Sequence, residues 1–142
     1  MLKIQHLLIY ALSISVFSFG SDHKRNKSNV IVGANQILEY QNIIKNKRIG
    51  VIANHTSVIF KESGEHTHLI DSLISLNYNI KKIFAPEHGF RGTKPNGENI
   101  NDEIDDNYGL QIISLHGKHR NYGEIRSEDL NDVDILIFDL QD

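Results

Sequence analysis

From Val32 onward, short β-branched runs alternate with segments whose apolar residues recur at helical spacing. Asn35 to Ile44 places Ile37, Leu38, Tyr40, Ile43 and Ile44 on one stripe, which predicts an amphipathic helix. Lys45 and Lys47 close it with cations at the negative end of the helix dipole. Arg48 to Ala53 is a continuous apolar run and predicts a strand, with the polar loop Asn54-His55-Thr56-Ser57 directly after it. Thr67 stands where an N-cap belongs, before a helix whose face is Leu69, Ile70, Leu73, Ile74 and Leu76, and Asn77 to Asn79 stop that helix. Ile80 to Phe84 predicts the second strand, Leu110 to Leu115 the third and Asp134 to Phe138 the fourth. Ser127 is placed to cap a short helical turn that ends at Leu130. Thr93 to Gly109, acidic and rich in Asn and Gly, is expected to be a long loop, and loops of that length inside compact domains are usually functional or disordered.

Strands that alternate with helices and read as apolar runs predict an α/β fold with a parallel sheet buried on both faces. Parallel strands bring like ends together, and ligands of such sheets bind beyond the carboxyl ends. Here every predicted strand ends in polar groups: Asn54 to Ser57, Glu87 to Arg91, His116 to His119, and Asp139 to Asp142. One shared site at one edge of the sheet is the expectation. Its densest stretch is Phe84-Ala85-Pro86-Glu87-His88-Gly89-Phe90-Arg91-Gly92. Pro86 fixes its own φ, drives Ala85 to an extended conformation and so ends the strand. Gly89 and Gly92 permit a sharp turn or a close approach to a ligand. The plain alternative is a surface turn with solvated charges.

The start of the chain follows another pattern. Lys3 supplies a positive charge, Leu7 to Phe19 is an apolar run broken only by serines, and Ser18 and Gly20 are the small residues that precede a cut before Ser21. Residues 1–20 are expected to be a secretory signal peptide, and the chain to be exported to the periplasm or beyond the cell. The run is shorter than the roughly 20 apolar residues of a membrane span, which makes an uncleaved anchor the second reading. Residues 21–31, polar and basic without periodicity, are expected to be a flexible linker, and 32–142 the folded domain. With no cysteine in the chain, disulfides, thiol catalysis, cysteine-ligated zinc and lipoprotein attachment are excluded. A net charge of −3 with scattered basic residues gives no nucleic-acid footprint.

Three chemistries compete for the shared edge. Nucleotide binding requires a Gly-x-Gly-x-x-Gly turn or a Gly-Lys-Ser/Thr loop, and neither occurs. A metal hydrolase would draw on His55, His66, His68, His88, His116 and His119 with Asp139 and Asp142, yet no spacing typical of a metal site is present. Neither a metal nor a cofactor is expected. Carboxylate acid/base work, as in glycoside hydrolysis, needs a protonated acid beside the leaving oxygen and usually a second carboxylate. Glu87 is the best acid, because the apolar Phe84, Ala85, Pro86 and Phe90 around it favour the neutral carboxyl, with Arg91 opposing if close. Glu98, Asp139 and Asp142 are the candidate partners.

The segments Arg48 to Ser57, Ile83 to Gly92, Gly97-Glu98, Ser114 to Lys118 and Asp134 to Asp142, taken in that order, resemble the exo-β-N-acetylmuramidases, a family long catalogued as a domain of unknown function. The resemblance covers roughly Val32 to Asp142, and the Pro-Glu-His-Gly-x-Arg-Gly motif is its most specific part. It implies a Rossmann-like domain of a two-domain protein, with the active site between this domain and a smaller C-terminal one. Family chains run well past the Phe138-to-Asp142 stretch, so this chain is expected to be the N-terminal portion, inactive alone. The implied substrates are peptidoglycan-derived muramyl saccharides, from whose non-reducing ends N-acetylmuramic acid is released. Glu87 is the implied catalytic residue, and Asn54, His88, Arg91, Lys118, Asp139, Gln141 and Asp142 the implied substrate-binding set. Arg91 or Lys118 would pair with the lactyl carboxylate of muramic acid. A family member here more often has Gln at the position of His55. The alternative from another class is a noncatalytic wall-sugar binding protein, in which Glu87 only accepts a hydrogen bond from a sugar hydroxyl.

Overall fold

The structure, a computed structural model, describes residues 30–86, 89–92, 101–117, 121 and 123–141. The expected signal peptide at 1–20, most of the linker at 21–31, and Glu87, His88, Glu98, Lys118, His119 and Asp142 lie outside the described residues. The strands are β1 (Ile49–Ala53), β2 (Val58–Phe60), β3 (His66–His68), β4 (Ile80–Ala85), β5 (Glu103–Ile104), β6 (Gln111–Ser114) and β7 (Ile135–Asp139). The α-helices are α1 (Ile37–Ile44) and α2 (Leu69–Ser75). A five-stranded sheet runs β5-β6-β4-β1-β7, and β2 and β3 form a separate hairpin.

The fold is α/β, with β1 parallel to both β4 and β7 and β4 parallel to β6. Strand-face alternation divides the core. Ile49, Val51, Ala53, Ile83, Ala85 and Ile112 pack against Ala34, Ile44, Leu69, Ile70 and Leu73, which puts both helices on one face. Phe84, Ile113 and Leu115 point the other way and meet Ile52, Ile125 and Leu130. Each large apolar side chain fully buried in this way contributes about 1.5–3 kcal/mol. Gly50 is dictated by that second layer: a Cβ there would stand 2.7 Å from Leu136 and 2.9 Å from the Phe84 ring.

Several expectations are corrected. The sheet is mixed, because β5 lies antiparallel on β6 inside the stretch expected to be loop. Asp105 reverses the chain there: its N–H donates to the Leu110 carbonyl at 2.8 Å, and its carboxylate accepts from the N–H of Asn107 and Tyr108 at 3.2 and 3.0 Å. Burial on both faces fails at β7, an edge strand among the described residues, where Phe138 is 70% exposed and Leu136 38%.

The stripe of the first helix is narrower than expected. A 3-10 turn at Gly33–Gln36 precedes α1, and Leu38 and Ile43 are exposed while Ile44 is buried. At 100° per residue Ile37, Tyr40 and Ile44 share a face, and Leu38 and Ile43 fall beside it. Thr67 is not the cap of the second helix; it lies within β3 opposite Ile59, and His68 caps α2. Nor does Ser127 cap the 3-10 turn Ser127–Leu130, since the Asp129 carboxylate accepts the N–H of Arg126 at 2.9 Å. The β2–β3 hairpin has no counterpart in the sequence reading. It docks through Asn35, whose amide donates to the Phe60 carbonyl at 2.6 Å and accepts the Phe60 N–H at 2.9 Å, as a neighbouring strand would.

Candidate active site

Parallel pairing brings the carboxyl ends of β1, β4, β6 and β7 to one edge, as the strand pattern requires. Taken in chain order, these parallel strands stand 3-2-1-4 across the sheet, so the order reverses between β1 and β7. That switch point is where open α/β sheets bind ligands. Asn54, Thr56, Ser57, Asp139 and Gln141 meet there. The fully buried Ser57 hydroxyl accepts the Asn54 N–H at 3.1 Å and donates to the Asp139 carbonyl, tying the two strand ends together. The Asn54 side-chain oxygen accepts from the N–H and hydroxyl of Thr56 at 2.9 and 2.6 Å. Gln141 donates its backbone N–H to Thr56 Oγ1 at 3.1 Å, and its amide nitrogen reaches the Val58 carbonyl at 3.1 Å and the Asp139 carboxylate at 3.2 Å. Three residues of the expected binding set, Asn54, Asp139 and Gln141, are thus brought into one network.

One strand over, β4 ends at Ala85, and the Gly89 N–H returns to the Pro86 carbonyl at 3.1 Å. A second turn follows, with the Gly92 N–H on the Gly89 carbonyl at 3.3 Å. Glu87 and His88, which stand between Pro86 and Gly89 in the sequence, lie outside the described residues. Phe90 is buried and meets the His68 ring edge-on, with centroids 4.6 Å apart and planes at 86°. Arg91 stands 4.5 Å from the Phe90 ring centre and reaches Asp71 at 3.4 Å and Asp105 at 3.5 Å. Its guanidinium is therefore held by α2, by the turn after β5 and by its own neighbour. Toward β6, the Leu115 N–H donates to the Ala85 carbonyl at 2.8 Å, joining the loops that follow β4 and β6.

His68 joins these parts. Its Nε2 lies 2.8 Å from the Asn54 carbonyl, which can only accept, and its Nδ1 lies 3.2 Å from the Ile70 N–H, which can only donate. These partners assign the neutral Nε2–H tautomer. Burial, the largest influence, pushes its pKa down, against the opposing pull of the Asn54 carbonyl.

Two hollows flank the edge. One of about 220 Å³ beside the turn is lined by Phe90, Arg91, Glu103, Ile104 and Asp105. Another of about 300 Å³ lies between α1 and β7, lined by Tyr40, Ile43, Ile137, Phe138 and Asp139. At the latter the Tyr40 hydroxyl is pushed up to about 12, first by burial and then by the Asp139 charge. Among the described residues no group of three or more His, Asp or Glu side chains is placed to hold a metal ion.

A family model described as exo-β-N-acetylmuramidase NamZ, N-terminal, matches residues 49–142. The chain belongs to this family. It is similar to the peptidoglycan β-N-acetylmuramidase NamZ of Bacillus subtilis (strain 168), with 34% identity over 138 residues that cover 92% of this chain and 31% of that protein. It is also similar to two solved structures of DUF1343 family proteins from Bacteroides fragilis. One is 38% identical with a TM-score of 0.59, over 81% of this chain and 26% of that one. The other is 31% identical with a TM-score of 0.56, over 77% and 26%. The chain spans about a third of the length of the curated relative it matches.

In this exo-β-N-acetylmuramidase family chain, the residues that build the edge extend beyond those the sequence singles out. Ser57 stands out in the sequence only as part of a polar loop, and Asp71 and Asp105 are not singled out by it at all. His68 was counted only as a possible metal ligand. What links them is proximity in space between residues far apart in the chain, such as Arg91 and Asp71 or Ser57 and Asp139, for which one sequence carries no signal.

Proposed function

We propose that this chain is the N-terminal, Rossmann-like portion of an exo-acting glycoside hydrolase that releases N-acetylmuramic acid from the non-reducing ends of peptidoglycan fragments. The observation that carries the reading is that Pro86 and Gly89 to Gly92 of the Pro-Glu-His-Gly-x-Arg-Gly motif follow β4 at the common carboxyl edge of the parallel strands, in a chain that belongs to this family. Glu87 is the general acid. It gives its proton to the glycosidic oxygen as the bond to the anomeric carbon breaks, and the saccharide leaves with a hydroxyl. Asp139, at the switch point and hydrogen-bonded by the Gln141 amide, is the candidate second carboxylate. Arg91 and Lys118 select for muramic acid through its lactyl carboxylate, Arg91 from a position already steadied by Asp71 and Asp105.

Residues 1–20 direct export, which brings the enzyme to its wall-derived substrate, and residues 21–31 link that segment to the domain. The active form is the full-length polypeptide, in which a further domain completes the cleft. The test is turnover of a chromogenic N-acetylmuramic acid glycoside by the full-length protein, beside the matching N-acetylglucosamine glycoside. Release from the muramic compound alone supports the reading. Tight binding of muramyl saccharides without release would instead favour a noncatalytic wall-sugar binding protein.

A further inference from the structure

We propose that His68 is a positioning residue for the Glu87 turn, an inference that rests on Glu87 being the acid. An N-cap needs only an acceptor, and Ser, Thr, Asp and Asn serve best. An imidazole at that position does more, because its two nitrogens work in opposite directions at once. Nδ1 accepts the Ile70 N–H at 3.2 Å and so starts α2, while Nε2–H donates to the Asn54 carbonyl at 2.8 Å and holds the end of β1. The ring itself stands 4.6 Å from Phe90, edge to face. Phe90 is 2% exposed and lies one residue beyond Gly89, whose N–H closes on Pro86 at 3.1 Å. His68 therefore references the motif turn to both the end of β1 and the start of α2. A displacement of about 1 Å at a reacting group can cost about 10²-fold in rate, so such an anchor acts on catalysis through Glu87 without touching substrate.

Two substitutions in the full-length protein separate positioning from capping. His68→Asn keeps an excellent cap acceptor but is too short to reach the Asn54 carbonyl or to cover Phe90. His68→Gln restores a donor toward Asn54 and a flat group against Phe90, and is the poorer cap. Melting temperature, kcat and KM on the muramic glycoside, and amide exchange at Gly89 and Gly92 are measured for each. The proposal expects His68→Asn to keep its melting temperature within a few degrees, to lose about 10²-fold in kcat with KM little changed, and to exchange both amides faster. It expects His68→Gln to recover kcat and amide protection relative to His68→Asn although it melts lower. A His68→Asn protein with wild-type kcat and exchange, or the reverse ranking of the two variants, would overturn it. Unfolding of both would reduce His68 to a structural cap and overturn it equally. If the unsubstituted protein turns over no muramic glycoside, the glycosidase reading falls, while amide exchange still decides whether His68 holds the turn.

Discussion

A Cβ placed on Gly92 would stand 2.6 Å from Cγ of His55, so the loop after β1 lies directly on the backbone of the motif turn. Gly92 also has a φ of +67°, in the left-handed region that side chains avoid. Gly92→Ala is expected to destabilise the domain by at least about 1 kcal/mol from backbone conformation alone, with the His55 contact adding to it. His55→Ala in the same chain removes the ring atoms but keeps the His55 Cβ at 2.9 Å, so it should return only part of the contact cost and leave the backbone part. Urea denaturation of the two single variants and the double variant measures this, and strict additivity would show that the two residues do not press on each other.

Ser57 is the only described residue that hydrogen-bonds both the first residue after β1 and the last of β7, through Asn54 N–H and the Asp139 carbonyl. Its side chain is fully buried. Ser57→Ala leaves the half-buried Asn54 N–H and Asp139 carbonyl without this partner and should cost about 1–3 kcal/mol. Ser57→Thr keeps the hydroxyl but adds a methyl group to a closed site, so it should also lose stability. Denaturation midpoints decide the first, and a neutral Ser57→Ala would remove the hydroxyl from the strand-end network.

At the opposite end of β1 and β7, Asp134 receives the Arg48 side chain at 2.7 Å and the Arg48 backbone N–H at 2.8 Å. Those hydrogen bonds and the Arg48 charge pull its pKa from 3.8 down to about 2. The unfolded chain therefore binds a proton first as pH falls, and the stabilisation by this pair is fully present above about pH 4 and lost between 3.8 and about 2. The gap in stability between wild type and Asp134→Asn should be constant from pH 7 to 5 and close toward pH 2. A gap that persists unchanged at the acid end would mean that the carboxylate charge is not what Arg48 recognises.

Glu87→Gln preserves shape and hydrogen bonding but cannot deliver a proton. In the full-length protein it should lose about 10²–10⁴-fold in turnover of a natural disaccharide while still binding it. An activated aryl glycoside, whose leaving group needs less protonation, should suffer less. Near wild-type turnover by the folded variant would move the acid role to Asp139 or Asp142.

Much of the domain was determined by local pattern. The runs at Arg48 to Ala53, Ile80 to Phe84, Leu110 to Leu115 and Asp134 to Phe138 each form a strand; β1, β4 and β6 are flanked by strands on two sides, where ladder pairing satisfies the backbone, and β7 pairs with β1 alone among the described residues. Among the described residues only the crossover from β1 to β4 carries an α-helix, α2, and a 3-10 turn lies between β6 and β7, yet all four strands pair in parallel and their polar ends meet at one edge. Pro86 and the glycines after it marked the turn correctly, since their restrictions are properties of single residues.

Tertiary contact decided the rest. Thr67 has the chemistry of a cap, but pairing with Ile59 draws it into β3 and passes the role to His68. The two residues of β5 and the three of each hairpin strand are too few to show a period, and they exist because Asp105 turns the chain back and Asn35 supplies a strand-like partner. Arg91 illustrates the same limit at the site: its charge is evident in the motif, whereas its engagement with Asp71 and Asp105 depends on α2 and the turn after β5 coming alongside it. Local residue chemistry sets which elements form; which side chains end up within a few ångströms is set only when the sheet order places segments far apart in the chain side by side.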